Sequence, residues 1–296
     1  MDLDILLRQS EGMNLWLIGL ALVLIICQIS FLNMRWHSYL SFKRSDISFK
    51  TSSLINISGY FANIIFITSI GGIIAKSGLA MRQGLSFTQS IFITFLDRFM
   101  TLSALLVFSA ISLPLLHATI APKILVFLSL SVSGCLIAIL LFVFLLRAGT
   151  LNNFIFATPK RTQFISLLKD YTGNKALMFK TSYYSLMAQA CFILSVFALS
   201  LGMDNNGHAI PVIGFLALMP ILALISSLPI SFGGWGVREG AFIYGLSLIG
   251  FSMESAFFLS VLVGLVTLIA PFIVAIPYVF NTDIKKTLLN NNSKLS

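Results

Sequence analysis

The chain has 296 residues, of which 57% are hydrophobic and only 10% are charged. Because soluble domains carry about 25% charged residues, this composition excludes a soluble protein. The net charge of +9 would suit a nucleic-acid partner, but basic cytoplasmic loops give membrane proteins the same balance. We therefore expect no nucleic-acid partner, and we predict an all-α polytopic membrane protein with a single membrane domain over residues 1–296.

Apolar runs give the first set of predicted elements. Five runs reach the length of about 20 residues that a helix needs to cross a bilayer; they are residues 15–32, 89–113, 124–146, 183–203 and 255–280. Two more apolar stretches, 54–80 and 210–249, are interrupted by the glycine-rich segments SIGGIIAKSG and SFGGWGVREG. An ordinary span is not broken in this way, so these stretches predict a different kind of element.

The distribution of lysine and arginine predicts the orientation of the chain. These residues are concentrated in residues 147–180, in the C-terminal tail, and after the first run, where they are Arg35, Lys43, Arg44 and Lys50. Since cytoplasmic loops are enriched in Lys and Arg, we predict the N-terminus outside and the C-terminus in the cytoplasm. The location that we expect is the cell inner (cytoplasmic) membrane.

This orientation decides how the two broken stretches are placed. Both ends of 54–80 lie on the cytoplasmic side, and its 27 residues are too few for two crossings, so we predict a re-entrant hairpin. Both ends of 210–249 lie outside, and its 40 residues form either a similar hairpin or two short spans. The total is about seven to eight membrane helices.

The two broken stretches share the pattern S-x-G-G-x-x-x-[K/R]-x-G, which covers residues 69–78 and 231–240. Each is followed by a span that opens alike, at Ser86 and at Ser252. Because the two copies have opposite predicted orientations, the pattern indicates an inverted repeat of span, re-entrant hairpin and span. Many transporters are built in this way. The alternative is that the glycine pairs only allow close helix packing.

The predicted boundaries follow from this repeat. The first copy covers about residues 14–116 and the second about 180–280, with the helix 124–146 and a basic cytoplasmic linker, 147–180, between them. The linker is either an amphipathic helix at the membrane surface or a solvated segment. The first reading rests on one apolar face, formed by Phe164, Leu167, Leu168 and Tyr171.

Five ionisable residues lie inside apolar or glycine-broken stretches: Lys76, Asp97, Arg98, Arg238 and Glu239. Such charges are costly in a bilayer and are usually paired and functional. Neighbouring residues on a helix point about 100° apart, so Asp97 and Arg98 cannot face each other, and the same holds for Arg238 and Glu239. We expect Asp97 to compensate Lys76 or Arg238, and Glu239 one of the remaining cations. The alternative is a purely structural ion-pair network.

The charge balance and the glycines predict an anion site. Three cations against two carboxylates leave one positive charge, and helices that begin after Gly72 and Gly234 would present free backbone N–H groups. Arginine also suits phosphate in bidentate geometry. The predicted substrate-binding residues are Arg238, Arg98, Lys76, Gly233, Gly234, Gly71 and Gly72, and the predicted ligand is a phospholipid or polyprenyl-phosphate headgroup. We expect no metal site, because the three histidines lie in separate loops, and no cofactor.

The segment SLPISFGGWGVREGAFIYGLSLIGFSMESA resembles the P-x-S-x-G-G-x-G-x-R-E-[AG] signature of the lysylphosphatidylglycerol synthase transmembrane region, a flippase-like membrane family. FLNMRWHSYL is similar to the end of the family's first helix, and Asn63, SIGG and LDRF at 96–99 fit its further elements. The chain departs from the pattern at Ile67-Thr68 (Pro-Gly in the family), at Ile73 (acidic), at Lys76 (Arg) and at Gly264 (often Arg).

The resemblance implies translocation of a lipid or lipid-linked glycan across the cytoplasmic membrane. Family members are sometimes fused to a cytosolic aminoacyl-transfer domain, which we expect this chain to lack, and we predict that it is not an enzyme. The leading hypothesis is therefore flipping or scrambling of an anionic lipid. The alternative is a non-catalytic membrane subunit that recruits or regulates a cytoplasmic lipid-modifying or glycosyl-transfer enzyme; an intramembrane transferase is a weaker third.

Overall fold

The computed structural model describes residues 12–66, 69–148, 159–203, 210–227 and 236–279. Within these ranges the chain forms ten α-helices, one short 3-10 helix (Leu113–Leu116) and no strand. The α-helices are α1 (Leu15–Lys43), α2 (Phe49–Ile65), α3 (Ser69–Arg82), α4 (Phe87–Ser112), α5 (Pro122–Ala148), α6 (Pro159–Gly173), α7 (Lys175–Gly202), α8 (Val212–Ser227), α9 (Val237–Ser247) and α10 (Met253–Val279).

Five of these helices, α1, α4, α5, α7 and α10, are long and apolar enough to cross a membrane. They cover the five predicted apolar runs to within one residue at the ends, so the prediction of a polytopic helical membrane protein is confirmed. α5 lies at the edge of the bundle and exposes large apolar side chains such as Phe127 and Leu130. Such a surface suits contact with lipid rather than water.

The two glycine-broken stretches each fold as a pair of short helices. α2 and α3 have 17 and 14 residues, and α8 and α9 have 16 and 11. At 1.5 Å per residue even α2 rises only about 26 Å, less than the roughly 30 Å of a hydrocarbon core. Within each pair the two helices pack on each other.

The two short pairs lie at opposite ends of α4: both ends of one pair are near its start, and both ends of the other are near its end. The Arg44 side chain, before α2, donates to the carbonyl of Gln83, after α3, so both ends of the first pair lie near the start of α4. Gly214, in the first turn of α8, lies against Ile249, after α9, and against Thr119 in the loop after α4. Both ends of the second pair therefore lie near the end of α4.

The helices before and after α5 and α6 make corresponding contacts. α1 and α7 pack antiparallel. The backbone N–H of Asn14, before α1, donates to the carbonyl of Gly202 at the end of α7 (2.8 Å), and the hydroxyl of Ser195 donates to the carbonyl of Ala21 (2.9 Å). In the first half α3 packs on α4, and in the second half α9 packs on α10 in the same way. The last helix of each half also contacts the first two helices of the other half: α4 contacts α7 and α8, and α10 contacts α1 and α2.

The starts of α4 and α10 are also alike. Ser86 and Ser252 each accept a hydrogen bond from the backbone N–H three residues later, at 3.2 and 3.1 Å, as N-cap residues do. Two residues before each cap stands a glycine with positive φ, Gly84 (+88°) and Gly250 (+90°), a backbone conformation that side chains disfavour. The similar sequences before α4 and α10 thus form similar turns.

The first helix is longer than predicted. The apolar run ends near residue 32, but α1 continues to Lys43. Arg35, which we assigned to a basic loop, is a helix residue with only 1% of its surface exposed. The assignment was wrong because a helix that packs on its neighbours does not need an apolar sequence around its whole circumference.

Part of the basic linker is a helix that packs on the bundle. Residues 159–173 form α6, but its predicted apolar face is buried in the protein. Leu167, Leu168 and Tyr171 are each less than 7% exposed, and the ring of Phe164 lies 5.2 Å from that of Phe92 on α4. Burial raises the pKa of the Tyr171 phenol. The reading as a solvated segment is thus wrong for this part of the linker, and the apolar face of the predicted amphipathic helix packs on the protein rather than on lipid. Residues 149–158 lie outside the described chain.

Candidate functional site

A cavity of about 340 Å³ opens among the helices of both halves of the chain. Its lining includes residues of α1 to α4 and of α7 to α10, but none of α5 or α6 among the described residues. Five lining side chains are charged; they are Arg35, Lys76, Asp97, Arg98 and Arg238. The cavity therefore combines a membrane-protein interior with a concentration of charge.

Asp97, in the middle of α4, holds two cations. Its Oδ1 accepts from Nε and Nη2 of Arg35, at 3.0 and 2.7 Å. Its Oδ2 accepts from Nζ of Lys76 on α3, at 2.7 Å. The Lys76 ammonium also lies 4.0 Å from the centre of the Trp36 ring, a cation–π contact. Lys76 is one of the two partners that we expected for Asp97.

Arg35 is the charged residue of the cavity that our reading of the sequence missed. Besides its bonds to Asp97, it donates to the hydroxyls of Ser185 (2.9 Å) and Thr101 (2.8 Å). It thereby connects α1, α4 and α7. The R-W pair, Arg35-Trp36, was a signal that could have identified it, because both residues of the pair take part in the cluster around Asp97.

Arg98 follows Asp97 on α4 but faces a different direction. Its side chain is exposed and lines the same cavity. In the part of the chain that the structure describes, Arg98 forms neither an ion pair nor a hydrogen bond through its side chain. It is thus a cation at the cavity wall that is bonded to no carboxylate among the described residues.

Arg238 and Glu239 pair with each other, contrary to our expectation that they face different directions. Nη2 and Nε of Arg238 donate to Oε1 of Glu239 at 2.8 and 3.2 Å. Glu239 is the third residue of α9, and its other oxygen accepts from the backbone N–H of Gly236. The carboxylate therefore turns back over the start of the helix, where the long Arg238 side chain reaches it.

The guanidinium of Arg238 lies against Gly264 on α10. A Cβ atom at Gly264 would collide with this guanidinium, so the absence of a side chain there makes room for Arg238. Gly264 is also a position at which the resembled family often has arginine. In this chain the space beside α10 is filled by an arginine from α9 instead.

The predicted role of the first glycine pair is not supported. α3 begins at Ser69, so Gly71 and Gly72 lie inside the helix rather than before it. The N–H of Gly72 donates to the side-chain oxygen of Asn63 at 2.7 Å and is therefore not free for an anion. A Cβ on either glycine would collide with α2, which makes this a close helix contact of the kind that glycine permits.

The second glycine pair, Gly233 and Gly234, lies outside the described residues. α9 begins at Val237, after these glycines, as we expected of the helix following the break. Of the remaining predicted site residues, Lys76, Arg98, Arg238, Asp97 and Gly72 line the cavity, whereas Gly71 and Glu239 do not.

The fold and the charged cavity define a polytopic helical membrane protein with a polar site inside the bundle. The family model for the lysylphosphatidylglycerol synthase TM region matches residues 1–275, and the chain belongs to this family. No curated protein and no solved structure matches the chain.

Proposed function

We propose that this protein moves lipids with an anionic headgroup between the leaflets of the cytoplasmic membrane, and that the headgroup occupies the charged cavity. One observation carries the proposal: four cations, Arg35, Lys76, Arg98 and Arg238, gather at one cavity among membrane helices, with two carboxylates to balance them. Uncompensated charge is costly in a low-dielectric interior. An anionic ligand would lower that cost.

The size of the cavity supports a headgroup rather than a whole lipid. Ligand pockets usually measure about 300–1,000 Å³, and this cavity is at the lower end with about 340 Å³. A phosphate with a small polar group fits such a volume, whereas two acyl chains do not. In our proposal the chains therefore stay in the bilayer while the headgroup crosses through the protein.

Alternation between two openings would follow from an inverted repeat. The antiparallel packing of α1 on α7, and the short helix pairs that end at opposite ends of α4, support such a repeat. In transporters of this architecture the site lies where the broken helices of the two copies meet. The cavity contains residues of both short pairs, among them Lys76 and Arg238.

Cysteine labelling tests the proposed topology. In a variant without the native Cys27, Cys135 and Cys191, a single cysteine at Lys50 or at Arg82 should react only with a reagent applied from the cytoplasm. Both positions are exposed, and they lie at the two ends of the first short pair, at the start of α2 and at the end of α3. A single cysteine at His117, which is exposed in the loop after α4, is the matched control and should react only from outside. Labelling of position 82 from outside would contradict the inverted repeat.

Reconstitution tests the proposed function itself. The purified protein in liposomes should move a fluorescent anionic phospholipid between leaflets, as measured by quenching of the outer leaflet, without any partner protein and without changing the mass of the lipid. Empty liposomes give the background rate. Movement only after addition of a cytoplasmic enzyme would indicate a recruiting subunit, and a change in lipid mass would indicate an enzyme; either result contradicts the proposal.

A further inference from the structure

The charges around the cavity carry information about the ligand. We infer that the preferred headgroup carries two negative charges, as in a lipid phosphomonoester or a diphosphate, rather than the single charge of a phosphodiester. This inference rests on the proposed headgroup site. It depends on how the carboxylates of the site are already used.

The first excess charge belongs to the cluster around Asp97. Arg35 and Lys76 both bond to this one carboxylate, the first through Oδ1 and the second through Oδ2. Arg35 has only 1% of its side chain exposed, and Lys76 only 12%. Two buried cations thus share one anion, and their cluster keeps a charge of +1.

The second excess charge belongs to Arg98. Glu239 already accepts from Arg238 and from the N–H of Gly236, so it balances the charge of Arg238 and caps α9. Neither carboxylate of the site is therefore left for Arg98. Among the described residues the site has a charge of +2, which a dianion would neutralise and a monoanion would halve.

The geometry of the donors also suits a terminal phosphate. A phosphomonoester presents three strong acceptor oxygens, and the planar fork of Arg98 can bind two oxygens at once. Gln28 and Gln189 line the same cavity, and neither side chain forms a hydrogen bond within the described part of the chain. Their amide groups are available to the phosphate or to the group next to it.

Binding of matched lipids to the full-length protein in detergent tests this inference. The probes are dioctanoyl phosphatidic acid (a phosphomonoester), dioctanoyl phosphatidylglycerol (a phosphodiester) and geranylgeranyl phosphate (a polyprenyl phosphomonoester). At pH 8 both monoesters are dianions, because their second pKa is about 6. We expect at least one monoester to bind about tenfold more tightly than phosphatidylglycerol. This ratio corresponds to a difference of about 1.4 kcal/mol in binding free energy. Tighter binding of phosphatidic acid would indicate a diacylglycerol lipid, and tighter binding of geranylgeranyl phosphate would indicate a polyprenyl lipid.

Variants of Arg98 connect the preference to the site. Arg98→Gln should reduce the preference for a monoester to near unity, whereas Arg98→Lys, which retains the charge but loses the planar fork, should retain part of it. Arg82→Gln is the matched control, because Arg82 is exposed and does not line the cavity; it should preserve the preference. A preference that survives Arg98→Gln would overturn the inference.

Two results separate this inference from the proposed function. If phosphatidylglycerol binds as tightly as both monoesters, the inference of a dianion is wrong and the anionic-headgroup site stands. If none of the three anionic lipids binds to the wild-type protein, the headgroup site itself is wrong, and the inference falls with it.

Discussion

Replacement of Asp97 by alanine should destabilise the protein by about 3–5 kcal/mol, the usual cost of removing one partner from a buried ion pair. The change leaves two buried cations, Arg35 and Lys76, without their shared carboxylate. The loss should be visible as a lower free energy of unfolding of the purified protein in mixed micelles and as a lower yield from membranes.

A surface pair provides the control for this experiment. Asp46 pairs with Arg44 at 2.9 Å, but both side chains are largely exposed, and exposed pairs contribute little to stability. Asp46→Ala should therefore leave the free energy of unfolding almost unchanged. Adding Lys76→Met to Asp97→Ala should recover part of the loss, because one of the two unpaired cations is then removed. Equal stability of the Asp97→Ala and Asp46→Ala proteins would show that the buried cluster does not need its carboxylate.

Replacement of Arg238 by alanine should abolish lipid movement in liposomes while the protein remains inserted and folded. Arg238→Lys should also impair movement, because lysine keeps the charge but lacks the planar guanidinium, which can hold Glu239 on one edge and offer its remaining N–H groups to a phosphate. The measurement is the rate of lipid movement per reconstituted protein, with the amount of folded protein determined by size-exclusion chromatography.

The ion pair with Glu239 defines the outcome that would contradict this prediction. If Arg238 is only a structural counter-ion, Arg238→Ala should misfold, because Glu239 loses its partner. Arg238→Ala combined with Glu239→Ala should then restore folding. Normal lipid movement by a well-folded Arg238→Ala protein would exclude the phosphate-binding role as well.

Gly264 offers a second way to test the position of the same guanidinium. The methyl group of Gly264→Ala would occupy the place of the Arg238 guanidinium and should slow lipid movement even though both charges remain. Gly134→Ala on α5 is the matched control, since a Cβ there has no neighbour within 4 Å among the described residues. An unchanged rate in Gly264→Ala would show that this placement of Arg238 is not required.

The predictable part of the fold is the part that depends on local sequence. Long apolar runs predicted the five spans, because a helix that faces lipid must be apolar over its length. The glycine-rich interruptions predicted the two unusual stretches, each of which forms two short helices. The docking of α6 could not be predicted, because the partners of its apolar face, such as Phe92, are distant in the sequence.

The charged site was only partly predictable for a similar reason. The apolar stretches revealed Lys76, Asp97 and Arg98, but Arg35 lies beyond the end of its apolar run and looked like a loop residue. The expectation that neighbouring helix residues point about 100° apart and cannot pair failed for Arg238 and Glu239. That angle describes where the Cβ atoms point and not where long side chains end. The same expectation was correct for Asp97 and Arg98, which lie in the middle of α4: Asp97 pairs with Arg35 and Lys76 and not with Arg98.

The cluster around Asp97 has a mechanical consequence. One carboxylate connects three helices, since Arg35 belongs to α1, Lys76 to α3 and Asp97 to α4. Pulling any of these helices away from the others would break a buried ion pair, at a cost of several kcal/mol. We therefore expect α1, α3 and α4 to move together in any rearrangement that opens the cavity.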